Sequence, residues 1–483
     1  MGDFCTVDQS LVNGFMKLWI YQFYLLSHLS WPFLVYDFDR TFILDLQKQS
    51  NAFLKKWAGI NKSAENGLLF RSKENFGLGL TSIVDHFERM QLIKCSLLQN
   101  SVDNDIQQLY KIREQKNSKL NRVWKATQLC QTVNAEVTLN LKFPGQNSTQ
   151  GIGFGNFNPN PTAAERRKLI TAKAFSFSEQ KRLNHSLSLK RQGIWLKWSE
   201  NSLPFDFSWK NLIWSSNYHI VKFVLHASIN WVKTPELLNL WGYTNSSACR
   251  LCQAEKCTLH HILSNCPVAL TSKRYTWRHD SVLLHIQKAL EVLITDSNSK
   301  KETPTPHISQ CFVKAGSKIT KSSNKPNLVA SALKGASDWK FLVDFDHDQV
   351  VFPPEILSTN ERPDIVIWSI KLKKVILIEL TCCAEEGISS AQLRKETRYL
   401  SLKSQIVERN WKTSLLTIEV GVRGFVGSSF VKCLAHLGFS RAVTTTLCKT
   451  VSLVAAKCSY AIYLASNSAN WDANRILLGP EHL

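Results

Sequence analysis

Residues 362–381 read Arg362-Pro363-Asp364-Ile365-Val366-Ile367, a lysine-rich turn near Lys371–Lys373, then Val375-Ile376-Leu377-Ile378-Glu379-Leu380-Thr381. Two short β-branched runs, Ile365–Ile370 and Val375–Leu380, flank the turn, which predicts a hairpin. Asp364 opens the first strand and Glu379 closes the second. Paired as a hairpin, the two strands bring these carboxylates side by side at one end of a sheet. Carboxylates held together repel unless a cation sits between them. Mg²⁺ suits that geometry, because it is content with one or two carboxylates plus water and phosphate oxygens. Such an ion can activate water and neutralise charge on a phosphodiester being cut.

Moving outward, Ser389–Trp411 has a helical pattern, opened by Ser389-x-x-Gln392 as a capping box. Ser414–Val420 reads as a third strand, and 428–438 and 445–466 as helices. The hairpin therefore sits in an α/β domain over 328–470. Just upstream, Asp344-x-Asp346-x-Asp348 with Glu355 imitates a calcium loop. Gln349 stands where that loop needs glycine, and Pro353-Pro354 would break its exit helix, so it is read as a decoy. Residues 295–327 are rich in Ser, Thr, Asn, Pro and Lys and read as a linker.

Before that linker lies a Cys/His cluster. Cys249-x2-Cys252-x8-His261-x4-Cys266 supplies a thiolate knuckle, then an imidazole and a closing thiolate. Three thiolates and one imidazole suit tetrahedral zinc, and a closed set of four is structural rather than catalytic. Cys257 and His260 fall inside the same segment, and spacing alone leaves them open as ligands.

The chain has 483 residues, with hydrophobic residues at 44% and aromatic residues at 10%. That length predicts about three domains with sizeable cores, and the composition excludes global disorder or a fibre. Lys plus Arg number 59 against 38 Asp plus Glu, a net charge of +21. The partners this favours are polyanions, nucleic acid before acidic membrane. Thirteen cysteines, an odd number in a long chain, disfavour a disulfide-stapled secreted fold. The first residues show no secretory pattern, and Met1-Gly2-x-x-x-Thr6 is too loose to carry a myristoylation assignment. Leu18–Tyr36 is uncharged over nearly a membrane-spanning length. Its Gln22, Ser27, His28, Ser30 and Pro32 predict a buried helix ending near Pro32 instead.

Residues 11–110 read as helical, with Gly59 stopping a helix that holds Leu54 and Trp57. Residues 111–200 form a basic connector holding 16 Lys or Arg against 5 acids, a net +11. Pro144–Thr162 within it reads as a Gly/Asn/Pro loop; its Gly151-x-Gly153-x-Gly155 lacks the third glycine of a dinucleotide loop. Helical patterns with tryptophans resume at Ile194–Trp198 and Asn217–Trp241, in a region spanning 201–294.

Pro235-x-x-Leu238-Asn239-Leu240-Trp241-Gly242, Cys249-x-Leu251-Cys252, Thr258-Leu259-His260-His261-Ile262-Leu263-x-x-Cys266-Pro267 and Arg274-Tyr275-Thr276-Trp277-Arg278-His279-Asp280 occur in that order. Together they resemble the zinc-binding segment of non-LTR (LINE-type) retrotransposon reverse transcriptases. The resemblance implies that His261, rather than His260, is the zinc ligand. Lys273, Arg274, Trp277 and Arg278 follow directly, and that residue mix can grip phosphate and stack on unpaired bases.

The Asp364/Glu379 arrangement resembles the PD-(D/E)xK nuclease core, with Thr381 in place of the lysine two residues after Glu379. Lys395 could fill that role from the helix behind, with Tyr399 one turn further on the same face. Asp338-Trp339, Phe352-Pro353, Arg362-Pro363-Asp364, Glu379-Leu380-Thr381, Lys395-x-x-x-Tyr399, Trp411 and Ile418-Glu419-Val420-Gly421-x-Arg423-Gly424-Phe425 resemble the restriction-like endonuclease ending one class of these polyproteins. Cys382-Cys383 departs from the Val-Pro expected there. Glu419 and Arg423 could line the same cleft or serve structure.

Leu18-Trp19-x-Tyr21-Gln22-Phe23, Trp31-Pro32 and Phe53-Leu54-Lys55-Lys56-Trp57-x-Gly59 resemble the helical thumb of the same polyproteins. No Tyr-x-Asp-Asp occurs, so no reverse transcription is expected of this chain alone. The expected architecture is multidomain, α plus α/β: a helical N-terminal half, a small Cys3His zinc segment and a PD-(D/E)xK-like nuclease. The resemblance implies a structural Zn²⁺, a catalytic Mg²⁺ at Asp364 and Glu379, and target DNA and element RNA as partners, with no membrane role. The DNA substrate implies nuclear work. The alternative is a catalytically inactive or host-adopted RNA/DNA-binding protein.

Overall fold

A computed structural model describes residues 2–72, 77–115, 162–193, 196, 217–299, 331–345, 350–473 and 476. The loop expected over 144–162 except Thr162, the pattern at 194–198 except Leu196, and most of the 295–327 linker lie outside the described residues. The chain divides into two compact units, Met1–Leu196 and Lys197–Leu483.

The first unit is helical among its described residues. It comprises α1 (Gly2–Gln9), α2 (Gly14–Ile20), a π turn (Tyr21–Leu25), α3 (Leu26–Val35), α4 (Arg40–Ala58), α5 (Gly67–Phe70), α6 (Ile83–Gln99), α7 (Asn104–Gln115) and α8 (Ala163–Ser188). Helix α4 ends as expected at Gly59, whose φ of 66° is the left-handed cap that glycine adopts without a Cβ clash. Pro32, however, does not end its helix. A proline removes only its own N–H, and Tyr36 N–H re-closes the turn on Pro32 O at 2.9 Å. The uncharged Leu18–Tyr36 stretch is one-sided: Leu18, Tyr21, Leu25, Leu26 and Phe33 are buried, while Trp19, Phe23, Tyr24 and Trp31 are exposed. The basic connector is not loop throughout, because α8 is a 26-residue helix opened by a Thr162/Glu165 capping box.

The second unit joins what the sequence divides. Its described helices are α9 (Tyr218–Ser228), α10 (Pro235–Leu240), α11 (Pro267–Thr271), α12 (Arg274–Ser299), α13 (Ile388–Arg398), α14 (Leu400–Glu408), α15 (Ser428–Leu437) and α16 (Arg441–Leu464). A four-stranded sheet runs in the order β1 (Lys340–Val343), β2 (Ile365–Ser369), β3 (Lys374–Thr381), β4 (Lys412–Glu419). β1–β2 and β2–β3 pair antiparallel, and β3–β4 pair parallel across the α13–α14 crossover. In the hairpin Ile365 pairs with Ile378 and Ser369 with Lys374, which is the expected register. The predicted single helix over Ser389–Trp411 is two helices meeting at buried Tyr399. Its predicted capping box is replaced by an N-cap at Gly387, which makes no side-chain cap bond.

Both faces of the sheet are covered. Ile365, Ile367, Ile376, Ile378 and Ile418 share one core with residues of α12, α15 and α16. Val366, Trp368, Val375 and Leu377 pack on the other side with Tyr399, Leu402 and Ile406. Strands buried on both faces read as unbroken apolar runs, which is why they stood out in the sequence. One helix, Arg441–Asn467, is long and apolar enough to cross a membrane by length and composition, and most of it is buried in this core.

The Cys/His segment and the sheet belong to one compact unit. Helix α12 starts beside the Cys/His cluster and lays Val282, Leu283, Ile286, Leu290 and Ile294 into the core under the sheet. Its last turn takes up the start of the expected linker, where Asn298 exchanges bonds of 2.8 and 2.9 Å with the Trp339 backbone. Arg274 and Arg278, one turn apart on α12, are both fully buried. Arg274 donates to Ala465 O at 2.7 Å and Ser468 O at 2.8 Å. Arg278 donates to Leu263 O at 2.9 Å, Cys382 O at 3.2 Å and Ser459 Oγ at 3.2 Å, so it ties three segments together. Replacing Arg278 by Met would strand two buried carbonyls. We predict a loss of about 2–5 kcal/mol, read as a lower urea midpoint for the second unit. An unchanged midpoint would remove Arg278 from the framework.

Candidate metal centre and carboxylate site

The four expected thiolate and imidazole donors come together. The ligand atoms of Cys249, Cys252, His261 and Cys266 all lie within 4.8 Å of one another. Cys249 Sγ and Cys266 Sγ are 4.0 Å apart, and Cys252 Sγ lies 3.3 Å from His261 Nε2. A tetrahedron with metal–ligand bonds of about 2.0–2.3 Å has edges of about 3.3–3.8 Å, so the set fits one metal ion.

Local structure explains the fit. Gln253, with φ of 60°, turns the chain back so that Cys249 N–H reaches Ala254 O at 2.8 Å. His261 starts a π turn (His261–Asn265), and Cys266 precedes Pro267 at the first position of α11. Tyr275 Oη accepts the Cys266 N–H at 3.0 Å and donates to Ile262 O at 2.9 Å, pinning the closing ligand to α12.

The thiols are poised unequally. Burial raises the Cys249 pKa, but N–H groups of Cys252 and Leu251, with His261, outweigh it and bring the thiol down to about 6. Burial and the neighbouring Cys249 charge lift Cys266 to about 11. A cation would offset the repulsion that holds the second proton on. Cys257 is buried beside this group without joining it, and its thiol is pushed up by burial and by Cys249. His260 is exposed and outside the four. We predict one tightly bound divalent metal per chain by mass spectrometry of metal content. Cys257→Ser should keep it and Cys266→Ser should lose it; the reverse pattern would reassign the ligands.

The carboxylates meet as the hairpin register requires. Asp364 N–H donates to Glu379 Oε2 at 3.2 Å, and Leu380 N–H donates to Asp364 Oδ2 at 2.7 Å. Lys395, on α13, pairs through Nζ with Glu379 Oε1. Glu379 is 1% exposed, and its pKa is raised by burial and by Asp364, against the pull of Lys395.

Tyr399 stands beside the carboxylates. The helix breaks at it, its ring is buried, and Oη donates to Arg362 O at 3.0 Å. Burial, with Glu379 and Asp364 close by, holds its pKa well above the usual phenol value, and the bond to Arg362 braces the Arg362–Asp364 segment. Arg274 is buried with its donors on Ala465 O, Ser468 O and Ser272 Oγ, which corrects its part in the expected phosphate grip, whereas Arg278 is buried on internal acceptors with Nε left unpaired. Lys273 is exposed, and Trp277 is half-buried, edge-on to Trp471 with ring centroids 5.3 Å apart. Glu419 is buried and accepts from Ser429 Oγ. Arg423 is buried and pairs with Glu385 at 2.7 Å and with Ala227 O at 3.1 Å, a structural clasp.

His279 is the member that sequence reasoning missed. One residue past Arg278, it places Nδ1 at 3.0 Å from Asp280 Oδ1 and Nε2 at 3.4 Å from Asp364 Oδ2. Both ring nitrogens face carboxylates, which suits the imidazolium, a donor at each nitrogen. Burial alone would push its pKa down, but Asp280 and Asp364 override this and raise it to about 10. Its charge therefore contributes stability in full below the ordinary value of about 6.5, and that contribution is lost as pH rises through about 10. We predict that the unfolding free-energy gap between wild type and His279→Gln shrinks from pH 7 to pH 10. Ring resonances titrating near 6.5 would overturn this.

No family model matches the chain, and a search of the curated proteins finds no match. The functional reading therefore rests on these two sites.

Proposed function

We propose that the chain is the C-terminal part of a non-LTR retrotransposon protein whose second unit is a metal-dependent DNA endonuclease. The observation that carries this is Asp364 beside Glu379 at the end of a buried hairpin, with Lys395 brought onto Glu379 by the crossover helix. The order of segments, Cys3His cluster then carboxylate hairpin, supports the same reading. Zn²⁺ at Cys249, Cys252, His261 and Cys266 would be structural, because four protein donors leave no open position.

The donor chemistry at Asp364 and Glu379 fits Mg²⁺. Asp364 Oδ2 accepts from Leu380 N–H, while no hydrogen bond from the described residues falls on Oδ1. When bound, Mg²⁺ would supply charge neutralisation at the scissile phosphate and a more acidic water. The protein's own share is separable. The sheet fixes both carboxylates through backbone N–H groups, so their spacing does not depend on flexible rotamers. Lys395, 30% exposed, can swing from Glu379 to a phosphate oxygen and hold its developing charge. Tyr399 keeps the Arg362–Asp364 backbone in place. Nicking of target DNA would leave a 3′ hydroxyl from which element RNA is copied by a polymerase palm, and nuclear action follows from the DNA substrate.

A second reading is a nucleic-acid-binding module without cleavage. It is favoured by one observation: Asp364 and Glu379 each have a cationic side chain of the protein as partner, His279 and Lys395. Incubation of supercoiled plasmid with the chain and Mg²⁺ separates the two. Nicking is expected, and Asp364→Ala should lower its rate at least about 100-fold while leaving DNA binding intact. Nicking that survives Asp364→Ala sinks the assignment. Binding without nicking under Mg²⁺ or Mn²⁺ selects the second reading.

A further inference from the structure

A cleft of about 400 Å³ opens between the Cys/His segment and α13. That size lies in the range of small-ligand sites, about 300–1,000 Å³. His260, Ser264, Asn265 and Arg278 line it from one side, and Ser390 and Arg394 from the other. Its lining contains no carboxylate. Two of its buried polar atoms have no partner: Arg278 Nε, on a side chain 1% exposed, and Ser264 Oγ. Leaving buried donors unpaired costs about 1–3 kcal/mol each, more for a charged group, unless something fills the space.

The far wall is the start of an eleven-residue helix. Gly387 caps α13 without a side-chain bond; Ile388 N–H bonds back to Glu385 O, and the cap itself brings no side-chain acceptor to the helix start. Helix N-termini attract anions through those N–H groups and the macrodipole. Ser390 and Arg394 lie four apart, so they share a face of α13. Arg394 is exposed and immediately precedes Lys395, which pairs with Glu379. Cationic donors from two sides, orphaned donors between them and an absence of acids describe an anion site, and its rim adjoins the carboxylates.

We propose that this cleft binds a backbone phosphate of a nucleic-acid strand, one step along the strand from the phosphate presented to Asp364 and Glu379. The strand as occupant rests on the nuclease reading; the anion site itself rests on the cleft. Exposed His260, which sequence spacing left open as a zinc ligand, has a place here as a polar wall of the cleft.

The test uses the full chain in the Asp364→Ala background, with its thiolate-bound metal retained and no chelator. Binding of a fluorescein-labelled 12-nucleotide single strand is followed by anisotropy across a salt series. Arg394→Glu and Ser390→Asp should each weaken binding about tenfold, and the charge-matched control Lys403→Glu, on α14, should not. Arg394→Gln should flatten the slope of log affinity against log salt by about 0.7, the value for one lost phosphate contact on a single strand. Equal affinities for all four variants would overturn the cleft, as would absence of binding by the parent. Inorganic phosphate that binds in an Arg394-dependent way, while the strand ignores Arg394, would make free phosphate the occupant and overturn the strand. Plasmid nicking separates this from the nuclease reading. Nicking by the wild type with Arg394-independent strand binding fails only the cleft, and Arg394-dependent binding without nicking fails only the nuclease.

Discussion

Arg278 is the point on which the second unit turns. A guanidinium taken wholly out of water loses hydration that only several well-placed acceptors restore. Here the acceptors come from the turn after His261, from the backbone just past Glu379 and from helix α16. None of these three segments is near another in sequence. Meeting one buried cation forces the Cys/His segment, the end of β3 and α16 into a single arrangement. Burial lowers the Arg278 pKa, as desolvation of a cation must, while Cys382, Cys458, Tyr275 and Glu385 nearby pull the other way. Arg274 repeats the device one turn earlier, on the carbonyls of Ala465 and Ser468.

That arrangement gives His279 its position. The residue after Arg278 on a helix points about 100° away, which here means from the core seam toward the carboxylates. The cluster that holds Cys266 is pinned to the same helix through Tyr275. Metal ligands and carboxylate site are thus linked by one rigid helix, with the Tyr275 bond at one turn and His279 at the next. A metal that orders the cluster also fixes where α12 begins, and through it where the imidazole stands.

Much of this was legible in the sequence, and for definite reasons. The hairpin register was readable because acids bound two strands buried on both faces and a lysine turn fixes the pairing. The four ligands were readable because thiolate and imidazole spacing is a strong chemical constraint, although only three-dimensional proximity separated Cys257 and His260 from the set. What could not be read was direction. Arg274 and Arg278 in a basic-aromatic run look identical whether they point to a phosphate or to buried carbonyls. Tyr399 sits at helical spacing from Lys395, and its burial and its bond to Arg362 O are equally hidden in that spacing. Pro32 signals a stop that its helix ignores. The packing of the Cys/His region on the sheet was invisible because a stretch of linker composition lies between the two. The five apolar positions of α12 that join them read as an ordinary amphipathic face. The only sign of His279 was its place beside a buried arginine, and burial of an arginine is itself unreadable from sequence.

The carboxylate pair also sets a limit on how any metal could act there. With Lys395 on Glu379 and His279 shared between Asp364 and Asp280, the site carries three acids and two cations. A divalent cation entering it must share Asp364 with the imidazolium or displace a cation. Lys395 is the side chain with room to leave, being partly exposed on a flexible stem. His279 is held at both nitrogens and hence is not. Release of Lys395 toward an arriving phosphate would free Glu379 as the same substrate brings its own negative charge. On this electrostatic argument substrate and metal would bind with positive cooperativity, each removing the obstacle to the other. On that argument Lys395 would hold Glu379 until substrate arrives and would then grip the phosphate, a double role that its place on the crossover helix, one residue beyond Arg394, makes available.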